Sequence, residues 1–154
     1  MAAGNRTLKM DQESIVYGVI RDVASNDWQF LQRSRLVNCD ALLGLTDIDT
    51  FPYLTTSMFS IPTEELEQGT YQTQCIHFAA SYQAVEYHWE QWIAKFESLL
   101  KRMYWVSATV HLETELSGNH TFHWDSPGSH HAPSDDLTVQ CEWEHELAFN
   151  SSRL

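Results

Sequence analysis

An α+β fold is predicted for this chain: an antiparallel β-sheet, made of N-terminal strands plus a C-terminal three-stranded meander, packed on one long α-helix. Three patterns predict it. Apolar residues recur at spacings of three and four from Cys75 to Met103, strict alternation takes over from Tyr104 to Leu112, and alternation returns near the C-terminus. With 154 residues, 43% apolar and 19% charged, the chain is long and apolar enough to bury one core. No linker or internal repeat divides it, so residues 1–154 are expected to form a single α+β domain.

Residues 14–21 (SIVYGVIR) and 28–37 (WQFLQRSRLV) read as strands, with Asn26-Asp27 as the turn between them. Residues 40–49 and 53–61 read as two further strands, and 62–68, with proline at the start and Gly69 just after, as a short helix. Cys75, Phe78, Tyr82, Val85, Trp89, Trp92, Phe96, Leu99 and Met103 then form a helical seam over about 73–102. Gln83, Glu86, Glu90, Gln91 and Glu97 take its opposite side, and Lys101 and Arg102 suit the negative end of the helix dipole. At 1.5 Å per residue such a helix reaches about 42 Å, enough to cross a whole sheet or to pair with a second copy as a homodimer.

Beyond the helix, Tyr104, Val106, Ala108, Val110 and Leu112 alternate with Trp105, Ser107, Thr109, His111, Glu113 and Glu115, as in a half-buried strand. Ser117-Gly118-Asn119 reads as a turn into a strand over 120–125, with His120, Phe122 and Trp124 inward. The proline-, serine- and aspartate-rich stretch 126–136 reads as an exposed loop carrying His130 and His131. In the last strand Leu137, Val139, Cys141, Trp143, His145 and Leu147 turn inward and Glu142, Glu144 and Glu146 outward.

Charge narrows the function. From Leu36 onward four basic side chains face seventeen acidic ones, and residues 103–152 contain neither Lys nor Arg. With a formal net charge of −12, nucleic acid and anionic membrane are unfavourable ligands, because both are bound through cationic side chains. No stretch approaches the ~18 apolar residues of a membrane span, and the N-terminus lacks a secretory leader, so a cytoplasmic protein is expected. Cys39, Cys75 and Cys141, odd in number and without CxxC spacing, read as reduced core thiols.

No GxSxG, GxGxxG, P-loop, HExxH or EF-hand pattern is present, so no catalytic residue, metal or cofactor is assigned. Glu113, Glu115, Asp135, Asp136, Glu142, Glu144 and Glu146 are the candidate partner-binding residues, an acidic surface that would attract a basic protein and speed its encounter. Trp89, Trp92, His120, Trp124, Trp143 and His145 are the alternative, a pocket between helix and sheet for a small molecule or for acid–base chemistry. A third arrangement would bring His111, His123 and a carboxylate together around a divalent ion.

In size, acidity and lack of motifs the chain resembles the small immunity or antitoxin proteins that bacteria pair with basic toxins, and the acidic chaperones of secreted effectors. The likeness is compositional and assigns no residue. It implies a non-enzymatic inhibitor of a basic protein partner.

Overall fold

A computed structural model describes residues 12–47, 50–62, 75–126, 128–137 and 139–144, with the backbone alone at 46–47 and 139–144. The elements follow in the order β1 (Glu13–Arg21), α1 (Trp28–Leu43), β2 (Thr46–Asp47), β3 (Leu54–Thr55), a 3-10 turn (Thr56–Met58), β4 (Cys75–Gln83), a second 3-10 turn (Val85–His88), α2 (Trp89–Leu100), β5 (Ser107–Thr114), β6 (Asn119–Asp125) and β7 (Val139–Glu144). Five strands make one antiparallel sheet in the order β4-β1-β5-β6-β7, while β2 and β3 pair separately. The architecture is α+β as the sequence predicts, with two helices instead of one long one.

Alternation explains the sheet. In β1, Ser14, Val16 and Ile20 are buried while Glu13, Ile15 and Tyr17 are exposed. Register carries the same sidedness across the strands: Ile76, Ile20, Ala108 and Trp124 form one row, Phe78, Gly18, Val110 and Phe122 the next. Gly18 is required where it stands, since a Cβ there would lie 2.1 Å from the Thr109 carbonyl oxygen and 2.7 Å from the Phe78 ring.

Onto these rows α2 lays Trp92, Phe96, Leu99 and Leu100, all fully buried. Phe96 contacts Trp92, Phe78 and Trp124 at ring-centroid distances of 5.1, 5.3 and 5.2 Å. Each such pair adds about 0.5–1.5 kcal/mol beyond the burial of its area. Ala41 and Leu42 of α1 join the same cluster, so both helices bury their apolar residues on one side of the sheet.

Several expectations change. The seam over 73–102 is a strand followed by a helix: β4 alternates Ile76, Phe78 and Tyr82 inward, and Ala84, at φ 49°, turns the chain before α2. Phe78 and Tyr82, four apart, suit a strand face and a helix face equally. With its buried side turned to its own sheet, α2 no longer offers the seam from which a homodimer was expected.

Residues 28–37, expected to be a strand, belong to helix α1, and Asp27 caps it: its carboxylate accepts hydrogen bonds from the backbone N–H of Gln29 and Phe30 at 3.1 and 3.2 Å. Of the strands expected over 40–49 and 53–61, the described residues form only Thr46–Asp47 and Leu54–Thr55. The helix expected over 62–68 lies outside the described residues, except for Pro62. Cys39 is half-buried and Cys75 exposed, so neither thiol sits in the core, and both are free.

Candidate functional site

Among the described residues no helix covers the second sheet face. Neither helix packs its buried side there, and Ile15 and Tyr17 at its centre each remain 37% exposed. Register sets three rows across it: His77, Val19, Thr109, His123 and Gln140; Ala79, Tyr17, His111, Thr121 and Glu142; Ser81, Ile15, Glu113, Asn119 and Glu144.

Polar side chains on this face are tied to one another. The Tyr17 and His111 rings stack at 5.0 Å, and His111 Nδ1 meets the Thr121 hydroxyl at 3.0 Å. His123 Nε2 lies 2.8 Å from an Asp125 carboxylate oxygen, and its Nδ1 lies 2.8 Å from Thr109 Oγ1. In a neutral ring, Nε2–H donated to the Asp125 carboxylate leaves Nδ1 to accept from the Thr109 hydroxyl. The chain Asp125–His123–Thr109 was not recognised in the sequence; its signal was His-x-Asp on one strand face, but the threonine opposite follows only from register. His123 uses both ring nitrogens, and among the described residues no group of three or more His, Cys, Asp or Glu converges to hold a metal.

At the far end of the same face the carboxylates gather. Glu13, Ile15, Glu113, Thr114, Glu115 and Asn119 line a hollow of about 170 Å³. Its geometry is fixed by Glu115 Oε1, which accepts from the Glu13 backbone N–H at 2.8 Å, and by the Ser81 hydroxyl, which donates to Glu13 Oε2 at 2.6 Å. Glu113 and Glu115 are exposed, and among the described residues neither is bridged by Lys or Arg. Glu144 pairs with Asn119 and Glu142 with Thr121 in the backbone register, which brings their positions to this face; Glu146 lies outside the described residues.

Asp135 and Asp136 stand apart from that group. They belong to the loop after β6, whose backbone pairs with Trp105 just before β5, at the end of that strand opposite Glu113. The stretch is a loop exposed at 128–129 and 134–136, as its composition suggests, but it is pinned at its middle: His131 is fully buried, stacks on Trp105 at 4.5 Å and places its two ring nitrogens 2.9 Å from Met103 O and 3.0 Å from Asp135 O. Asp135 also accepts from the Ala132 backbone N–H at 3.0 Å. His130 packs near Phe30 at 5.3 Å.

Of the residues of the pocket alternative, Trp89, Trp92 and Trp124 sit in the layer between α2 and the sheet. Trp92 and Trp124 are fully buried, and Trp89 is half-buried, stacked on Trp92 at 4.8 Å with the planes 5° apart. Trp92 Nε1–H donates to the Tyr82 hydroxyl at 3.1 Å and Trp124 Nε1–H to Glu97 Oε2 at 2.8 Å. Burial pushes the Tyr82 hydroxyl above its ordinary pKa, against the pull of the Trp92 donor, and that hydroxyl donates to the Tyr53 carbonyl at 2.6 Å. His120 is half-buried with Nε2 2.9 Å from Ser117 O; Trp143 is its register partner, and His145 lies outside the described residues. Trp89 Nε1 is buried without a hydrogen-bond partner.

Comparison with protein-family models, with curated proteins and with solved structures returned no match. Among the described residues no helix is long and apolar enough to cross a membrane.

Proposed function

We propose that this chain is a non-enzymatic protein-binding module that engages a basic partner through the acidic end of its open sheet face, as an immunity- or antitoxin-like inhibitor does. The observation that carries the reading is the hollow where Glu13, Glu113 and Glu115 meet, on a face that no helix among the described residues covers. Carboxylates already held by backbone and hydroxyl donors lose little side-chain freedom when a lysine or arginine arrives. The formal charge of −12 adds long-range attraction, which raises association rate more than affinity. In this reading the glutamates take the place of the phosphates that a nuclease toxin's cationic site would bind. The free thiols Cys39 and Cys75 suit a reducing cytoplasm.

The test is affinity capture from the source cells with wild-type protein and with a Glu113→Lys/Glu115→Lys variant. Wild type should retain a defined basic protein that the variant releases, with the variant's unfolding midpoint within a few degrees of wild type. Capture of no basic protein, or capture indifferent to the reversal, contradicts the reading.

A further inference from the structure

At its second-face positions β1 reads Glu13, Ile15, Tyr17, Val19 and Arg21, an apolar middle between an acid and a base. Tyr17 is the midpoint. Glu113 and Glu115 reinforce the acidic end around the hollow, whereas Arg21 at the other end pairs in register with Cys75 and Ser107 rather than with an acid. Turned end for end, the pattern complements itself.

This strand lies between β4 and β5, so its apolar middle occupies the interior of the sheet rather than an edge, with Ile15 and Tyr17 exposed. Single exposed apolar residues are ordinary on a protein surface, whereas a contiguous row on one face marks a contact surface. The polar groups beside the row are already bonded to one another, His111 to Thr121 and His123 to Thr109 and Asp125. Covering them strands few donors or acceptors.

We infer that a second copy of this chain packs on this face, sheet against sheet, about a twofold axis that lies between the sheets at Tyr17 and runs perpendicular to the strands. Such an axis sets Tyr17 beside its own copy, Ile15 over Val19 and Glu13 over Arg21. The cation that enters each acidic hollow is then Arg21 of the second copy. An axis parallel to the strands would place Glu13 over Glu13 and Arg21 over Arg21, and like charge disfavours it. Facing sheets pack about 10 Å apart with their strands within about 30°, a gap that arginine and glutamate close from opposite sides. The nine residues of β1 at about 3.4 Å, and the four strands β4, β1, β5 and β6 at about 4.8 Å, span roughly 30 by 19 Å. Over both copies that is about 1,100 Å², above the roughly 1,000 Å² that a specific interface needs. The inference is independent of the basic-partner reading, although the two share the hollow: a basic partner enters it only when the second copy has left.

Sedimentation equilibrium of the full chain tests this, with a reductant present because Cys75 is an exposed thiol. At about 0.15 M salt the Debye length is about 8 Å, so the repulsion between two chains of formal charge −12 is screened over most of their separation. Wild type should pass from monomer to dimer mass as its concentration rises through the micromolar range. Arg21→Glu, which sets acid against acid twice in a twofold interface, should weaken the dimer at least about tenfold, and Glu13→Arg likewise. The Arg21→Glu/Glu13→Arg variant exchanges the two charges and should recover most of the affinity. Tyr17→Lys, which places two ammonium groups at the axis, should also give a monomer, and it is read instead where Arg21→Glu loses the native circular dichroism. A wild-type chain that stays monomeric, a dimer indifferent to Arg21→Glu and Tyr17→Lys, or a folded double variant that dimerises no better than either single one overturns the inference. A monomer that still captures a basic protein overturns it as well, and leaves the basic-partner reading standing.

Discussion

Arg35 and Asp22 form an ion pair at 2.9 Å with side chains 5% and 3% exposed, and Arg35 Nη1 is buried without a partner. A buried pair of this kind adds little net stability, but removing one member strands the other. Arg35→Met is therefore expected to lower unfolding free energy by about 3–5 kcal/mol, and an Asp22→Leu/Arg35→Met variant to recover most of that, as read from urea midpoints. Burial pushes the Asp22 carboxyl above its ordinary pKa, opposed by the Arg35 guanidinium and by the Val23 N–H. Between the ordinary and the raised value the folded chain keeps a proton that the unfolded chain has released. Stability from this group is thus complete below that window and falls as pH rises through it. Asp22→Asn should flatten the decline, and a series of urea midpoints from about pH 3 to pH 6 should show it. None of this was legible in advance. The buried side of α1 is Ser34, Arg35 and Asn38 alongside Ala41 and Leu42, and Asn38 earns its place by bonding both the N–H and the C=O of Tyr104. Polar residues buried through specific partners leave no trace in a hydrophobic pattern. His131 was misplaced for the same reason, its burial resting on Trp105 and two carbonyls.

At the scale of elements, β1, β5 and β6 were legible because one buried and one open face impose a period of two that no helix shares. β4 and α2 were read as one helix because the break between them is conformational: Ala84 adopts a left-handed backbone that its side chain does not announce. An L-residue there is strained by about 1–2 kcal/mol, and glycine loses about 0.5–1 kcal/mol in chain entropy. Ala84→Gly should consequently stabilise the fold by up to about 1 kcal/mol, whereas a continuous helix through residue 84 would have been weakened by it. Gly18 gives the opposite sign. Its missing side chain lets β5 approach, and the obstructing atom is the Thr109 carbonyl oxygen of the sheet backbone, so Gly18→Ala should destabilise by about 3 kcal/mol in the same denaturation assay. The outward sidedness of Glu113 followed from alternation alone. Its meeting with Glu13, from a strand about a hundred residues earlier, required the β1–β5 register, which sequence spacing does not contain.

For the whole molecule, the charge that suggested a basic partner also works against the folded state. A chain with formal charge −12 concentrates its acids on folding, and the self-repulsion is relieved by counterions. Raising sodium chloride from about 0.01 M to 1 M shortens the Debye length from roughly 30 Å to about 3 Å. The unfolding temperature should then rise by a few degrees, while association with a basic protein slows, because one screening removes an internal repulsion and an external attraction together. Salt at such concentrations also strengthens apolar burial, so the informative quantity is the difference between wild type and Glu113→Lys/Glu115→Lys. Reversal at the hollow lowers the repulsion among Glu13, Glu113 and Glu115, and the variant should gain less from salt than wild type does, in stability and in association rate alike. Identical salt responses in calorimetry would mean that these carboxylates are solvated independently of one another, and the hollow would then offer a cation no more than isolated surface glutamates do.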